Sequence, residues 1–305
     1  MNLKTSNKDS IKPFLKKMYI PPADSHKGMN GKGLIIGGSG LFHSASLWAA
    51  EIATHFLDMV HYSSTVENNK IFMDIKTHFR NGIVVHKKDL LHYVKEDDAI
   101  LIGPGMVRDE KVRDDDEENF FEDIIRIEDE SLYTYEITKF LLHNFPEKRF
   151  ILDAGALQMM KPEWLLKLKQ PAILTPHQGE FERLFGEDIM NLSIEEKAKK
   201  VTEYSTKFNC VILLKAVTDI ISYKDESIQV EGGNQGLTKG GSGDILAGLT
   251  LSLYAKTDPV SAAVIASFIE KLAADELLQN KAYWYNMEDL IGKIPEVLSS
   301  LIDKT

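Results

Sequence analysis

Five short apolar runs punctuate this chain, at residues 33–36, 99–102, 150–152, 172–175 and 211–214. None shows the apolar–polar alternation of a strand wetted on one face, so each is expected to be a strand buried on both sides, as in a parallel sheet. Segments with helical spacing separate the runs, and that order predicts an α/β fold with a mostly parallel central sheet between two layers of helices. In such a sheet the carboxyl ends of the strands share one edge, where ligands bind. Gly103-Pro104-Gly105, Asp153, His177 with Glu180, and Lys215 all stand just after an apolar run, so they are expected to gather along that edge. No linker or internal repeat divides the pattern. One domain is expected over residues 25–305, and residues 1–24, polar and ending in Pro21-Pro22, read as an arm packed on the domain or on a partner subunit.

Glycines crowd against one acid at Gly240-Gly241-Ser242-Gly243-Asp244, directly before an apolar, helix-patterned stretch. Glycines there permit backbone angles that other residues avoid, so successive N–H groups can converge on one anion. The helix that follows adds the positive end of its dipole. A carboxylate in this position, Asp244, has little electrostatic reason to sit beside a phosphate unless it takes a proton from an attacking hydroxyl. Phosphoryl transfer is the functional reading; the other is a loop in which Asp244 merely caps the helix.

Other motifs carry two readings each. Gly37-Gly38-Ser39-Gly40 follows the first apolar run as in a nucleotide-binding βα unit, yet it lacks the third glycine of G-x-G-x-x-G and no Walker A lysine follows. Gly103 and Gly105 either let a ligand approach the backbone or form a bare turn. Lys215 is a partner for nucleotide phosphates or a surface lysine; His177 contacts substrate or satisfies backbone groups in a Thr-Pro turn. Glu180 orients a hydrated Mg²⁺ or is a first-turn helix acid, and Asp153 shapes the phosphate region or caps the next helix. The charged run at residues 108–118 reads as a solvated loop rather than a metal cluster.

Composition narrows the partners. A formal charge of −10 argues against sequence-independent nucleic-acid binding. Cys210 is the only cysteine, which excludes an intrachain disulfide and fits a reducing, cytoplasmic setting. The first 30 residues hold no continuous apolar segment, and the uncharged run at residues 33–50 contains four glycines, so neither a signal peptide nor a membrane span is expected.

Ser25-His26-Lys27-Gly28, Gly37-Gly38-Ser39, Gly103-Pro104-Gly105, Asp153-Ala154-Gly155-Ala156-Leu157, Thr175-Pro176-His177-Gln178-Gly179-Glu180-Phe181 and residues 241–248 together resemble the ADP- or ATP-dependent NAD(P)H-hydrate dehydratases of the ribokinase-like superfamily. The resemblance covers residues 25–278. It implies a three-layer α/β/α sandwich and repair of hydrated NADH or NADPH, in which ADP or ATP with Mg²⁺ phosphorylates the ring hydroxyl and loss of phosphate restores the dihydropyridine. Carried over residue by residue, it makes Asp244 the base, with Gly241, Ser242 and Gly243 as the anion hole. Ala45, Gly105, His177 and Asp244 would contact the hydrate, and Lys215, Ala216, Val217, Thr218, Asp219 and Gly243 the nucleotide. A homo-oligomer is also implied. Departures at Phe42-His43-Ser44, at Lys215-Ala216 and after Gly105 bear on pocket shape and nucleotide preference. Residues 1–24 are too few for the epimerase domain often fused ahead of such enzymes. Two other readings remain open: a small-molecule kinase of the same superfamily, and a nucleotide-binding sensor without turnover.

Overall fold

A computed structural model describes residues 1–110 and 119–302. Ten strands form one sheet among these residues: β1 (Asn2–Lys4), β2 (Lys32–Ile36), β3 (Met59–Ser63), β4 (Ile83–Val84), β5 (Ala99–Ile102), β6 (Arg149–Leu152), β7 (Ile173–Leu174), β8 (Val211–Leu214), β9 (Thr218–Tyr223) and β10 (Glu226–Glu231). Their order is β1-β10-β9-β8-β7-β6-β5-β2-β3-β4. From β8 to β4 every pairing is parallel, and only β9 runs against its neighbours. The five expected apolar strands are β2, β5, β6, β7 and β8.

Alternate residues of these strands feed two cores. Ile35, Leu101, Ile151, Ile173 and Leu213 pack under the helices Ser44–Ala53, Ser242–Tyr254 and Pro259–Lys281. Leu34, Ile36, Ile100, Ile102, Leu152 and Leu214 pack on the opposite face, with the helices Glu130–Asn144, Gln178–Phe185 and Ile194–Phe208. Both faces of the sheet are therefore dry, which accounts for the absence of polar alternation in its strands. Chain order reverses at β2, whose neighbours are β3 and β5, so the crevice beyond the ends of β2 and β5 is the switch point of the sheet.

Two local features add to the expected pattern. The arm contributes β1, paired in parallel with β10, and it buries Leu3, Ile11 and Phe14 in the first core. Helical spacing over residues 120–145 resolves into two helices, Phe121–Ile124 and Glu130–Asn144, because the Asp129 side chain accepts the Leu132 N–H at 2.8 Å and starts the second afresh. The acidic insertion lies largely outside the described residues, at 111–118.

Candidate functional site

Strand ends place the site residues side by side. Asp153 follows β6, His177 follows β7 and Lys215 follows β8; a bridge between His177 and Lys215 prolongs the β7–β8 pairing beyond both strands. Lys215 Nζ lies 2.8 Å from Asp153 Oδ1 and 3.9 Å from Glu180 Oε2. Burial pulls the Lys215 ammonium down, but Asp153 and Glu180 overcome it and hold the group above its ordinary range, with Asp244 adding to their effect. Thr175 Oγ1 donates to Asp153 Oδ1 at 2.8 Å, so the carboxylate is fixed from the β7 side as well. Asp153 makes no capping bond to the helix that follows it.

His177 and Glu180 form a capping box: His177 Nδ1 accepts the Glu180 N–H at 3.1 Å, and Glu180 Oε2 accepts the His177 N–H at 2.9 Å. Gln158 Nε2 donates to the other carboxylate oxygen at 3.1 Å. Glu180 is thus held by both of its oxygens, while the His177 side chain stays 57% exposed at the edge of the sheet.

The glycine turn ends in the helix Ser242–Tyr254, whose N-cap, Gly241, has φ 107° and no side-chain cap. Only glycine accepts that angle readily, and a Cβ there would come within 2.6 Å of the Trp48 ring. Ser242 Oγ turns back to donate to Leu237 O at 2.7 Å, which pins the preceding turn. Asp244 stands in the first turn of the helix. Burial raises its carboxyl to about 7; Asp153 and Glu180 push the same way and Lys215 opposes them.

Ala45 and Gly105 meet at the switch point. A Cβ on Gly105 would lie 3.0 Å from Ala45 Cβ, and Gly38 N donates to Pro104 O at 2.7 Å, so the turns after β2 and β5 interlock. His43 Nδ1 is 2.7 Å from Asn68 Oδ1, which ties the departing Phe42-His43-Ser44 segment to the neighbouring helix.

On the other side, a cleft of about 770 Å³ opens at the ends of β8 and β9. His177, Lys215, Ala216, Val217, Asp219 and Gly243 line it; Thr218, the first residue of β9, does not. Asp244 follows Gly243 of the cleft lining, close enough to Asp153, Lys215 and Glu180 for each to act on its charge. The far wall of the cleft, with Gly233, Leu237, Glu270 and Lys271, went unread in the sequence. The signal available was the pair Glu270-Lys271, charged within the mostly apolar run at residues 259–274; both prove nearly fully buried. Among the described residues no group of three or more His, Cys, Asp or Glu could cage a metal ion directly. The donor set would suit a hydrated divalent cation: Asp153 and Glu180 stand together against the one charge of Lys215, and hydrated Mg²⁺ needs only one or two carboxylates.

A mostly parallel sheet covered by helices on both faces, in this strand order, is a ribokinase-like fold. A ribokinase-like superfamily protein of Enterococcus faecalis has the same fold, with a TM-score of 0.77 at 22% identity over 98% of this chain and 96% of its own. The chain belongs to the NAD(P)H-hydrate dehydratase family, whose description matches residues 33–296. An ADP-dependent (S)-NAD(P)H-hydrate dehydratase of Nitrosopumilus maritimus is 30% identical over 93% of this chain and 94% of its own. The bifunctional NAD(P)H-hydrate repair enzyme Nnr of Methanocaldococcus jannaschii is 30% identical over 97% of this chain but 57% of its own length. The chain spans about half the length of such bifunctional relatives. An ADP/ATP-dependent NAD(P)H-hydrate dehydratase of Bacillus subtilis, co-crystallised with ATP and Mg²⁺, shares the fold with a TM-score of 0.77 at 24% identity, covering 99% of this chain and 100% of that one. No helix among the described residues is long and apolar enough to cross a membrane.

Proposed function

We propose that this chain dehydrates hydrated NADH or NADPH at the expense of ADP or ATP, with Asp244 as the base. The observation that carries the reading is the placement of Asp244 in the first turn of the helix Ser242–Tyr254, next to Gly243 of the cleft lining, with a carboxyl that burial raises to about 7. The nucleotide would enter the cleft lined by Lys215–Val217, Asp219 and Gly243, and the hydrate the switch-point crevice by Ala45 and Gly105, with His177 at their junction.

The backbone N–H groups of Gly243 and Asp244 have no acceptor among the described residues and point from the positive end of the helix. They would bind the transferred phosphoryl group, the kind of preorganised donor set that dominates such reactions. Ser242 would act by shaping the turn, since its hydroxyl donates to Leu237 O and its N–H to Lys239 O. Lys215, held charged by Asp153 and Glu180, would meet the phosphates from the strand side. Mg²⁺ carried on the nucleotide, with Glu180 reached through water, would neutralise charge on the phosphate oxygens. Asp244 would take the proton of the ring hydroxyl as its oxygen bonds to phosphorus and the bond to the leaving phosphate breaks. In the second step the ring C–O bond breaks, phosphate leaves with the electron pair, and a proton is lost from the neighbouring carbon as the double bond returns.

Asp244→Asn should lower turnover by roughly 10²–10⁴, the usual worth of a general base, with nucleotide binding retained. Recovery of reduced-nicotinamide absorbance from hydrated NADH and NADPH, with each nucleotide, reads this directly. Near-normal turnover in the variant would falsify the base assignment, and a phosphorylated product that persists would make the protein a kinase instead.

A further inference from the structure

The floor of the cleft carries a group that phosphoryl transfer does not use. Glu270, near the middle of the helix Pro259–Lys281, is 4% exposed and lines the cleft, and its Oε1 has no hydrogen-bond partner among the described residues. We propose that Glu270 reads the base of the bound nucleotide, its carboxyl group pairing with the amino group and an adjacent ring nitrogen of adenine. This rests on the nucleotide-dependent reading above.

The groups facing Glu270 come from four elements: Lys215 after β8, Asp219 on β9, Lys271 beside it on its own helix, and Tyr285 beyond the helix end. Lys271 does not serve as its counter-ion, because its ammonium donates to Ala216 O at 3.1 Å and Val217 O at 3.0 Å and lies 3.3 Å from Asp219. Asp219 in turn accepts the Ala216 N–H and the Ser267 hydroxyl. Every charge near Glu270 is thus engaged with another partner. Burial pushes the Glu270 carboxyl up to about 8, Asp219 adds to the rise, and Lys271 and Lys215 oppose it.

At neutral pH the group is therefore a carboxylic acid, with one O–H donor and one carbonyl acceptor side by side. A phosphate offers it no matching partner. An amino group next to a ring acceptor does, as on adenine; the carbonyl and ring N–H of guanine meet the neutral group as well, so the two bases part when it ionises. Val217, 92% exposed, with Leu237 and Leu246 gives the same cleft apolar surface for a planar ring. Above its pKa the carboxylate loses its donor and suits the N–H groups of guanine instead.

Calorimetric titration of ADP and GDP into the wild type, Glu270→Gln and Glu270→Ala at pH 7 and pH 9 tests this. The wild-type preference for ADP over GDP should fall about tenfold between the two pH values, as one proton is lost from the reading group. Glu270→Gln and Glu270→Ala have no such proton to lose, so each should hold an ADP to GDP ratio that does not change with pH; Glu270→Gln keeps a donor and an acceptor and should bind ADP at pH 7 as the wild type does, whereas Glu270→Ala should bind it about tenfold more weakly. A wild-type ratio that does not change with pH, or ADP binding by Glu270→Ala as tight as that of the wild type, overturns the assignment of Glu270 while leaving the nucleotide-dependent function standing. Failure of the wild type to bind either nucleotide overturns both.

Discussion

Asp244 is destabilising for the same reason that it suits a base. Its ordinary value is 3.8, and burial holds it at about 7 in the folded chain. The protonated form is thus favoured by folding, so the contribution is complete below the unfolded value, declines as pH rises, and is gone above the folded one. Compared with Asp244→Asn, the wild type should lose stability between about pH 4 and 7 and keep a constant deficit above that. For a partly exposed carboxyl the deficit is about 1–2 kcal/mol. Activity runs the other way, because only the carboxylate accepts a proton: kcat/KM for the hydrate should climb through an apparent pKa of about 7. Thermal melts of both proteins and the wild-type pH–rate profile, measured over the same range, check the two slopes. Equal melting temperatures at pH 8 would show that Asp244 ionises without the burial described here.

Elements succeed or fail by how much of their cause is local. Gly241 must hold φ 107° against the Trp48 ring of the helix Ser44–Ala53, so the start of the helix Ser242–Tyr254 is fixed by a neighbour nearly 200 residues away. Gly241→Ala adds both backbone strain and a clash, and should cost about 1–3 kcal/mol in denaturant melts. Its turnover should fall further than that of a substitution of equal cost elsewhere in the core, since the cradle itself moves. The five apolar strands and the turns after them were legible because each depends on adjacent residues; the box that joins His177 to Glu180 was not read as one, although each residue was singled out. β1 was not: Asn2-Leu3-Lys4 offers one apolar residue between two polar ones, and only the edge of β10 makes it a strand. Nor was the break between Phe121–Ile124 and Glu130–Asn144, which a single cap at Asp129 decides. At the site, Lys215, His177 and Asp153 announced themselves by following strands. Glu270 did not, because a helix gives no edge to follow and its burial comes from β9 and the turn before Leu237.

The sheet joins its first strand to the outer wall of the cleft. Leu3 is fully buried between β10 and the helices below, and Leu3→Ala should cost about 2–4 kcal/mol, the range for a cavity at a closed site. Two residues on, Thr5 N donates to Glu231 O at 3.0 Å, and Thr5 Oγ1 donates to Asp275 Oδ2 at 2.6 Å. That same Asp275 oxygen accepts the Gly233 N–H at 3.1 Å, and Gly232 packs so closely on Thr5 that a side chain there would strike it. Gly232 and Gly233 line the cleft, so the arm props its outer wall through one shared carboxylate. Thr5→Val keeps the shape and removes the hydroxyl, so it should cost only about 1 kcal/mol in stability. Its effect should instead fall on the nucleotide, raising KM for ADP or ATP several-fold while leaving KM for the hydrate unchanged, because Ala45 and Gly105 lie at the other end of the strand edge. Leu3→Ala is the control: it lowers stability more and shifts the nucleotide KM less. If both variants raised the two KM values together, the arm would be stabilising the whole sheet rather than the wall of the cleft.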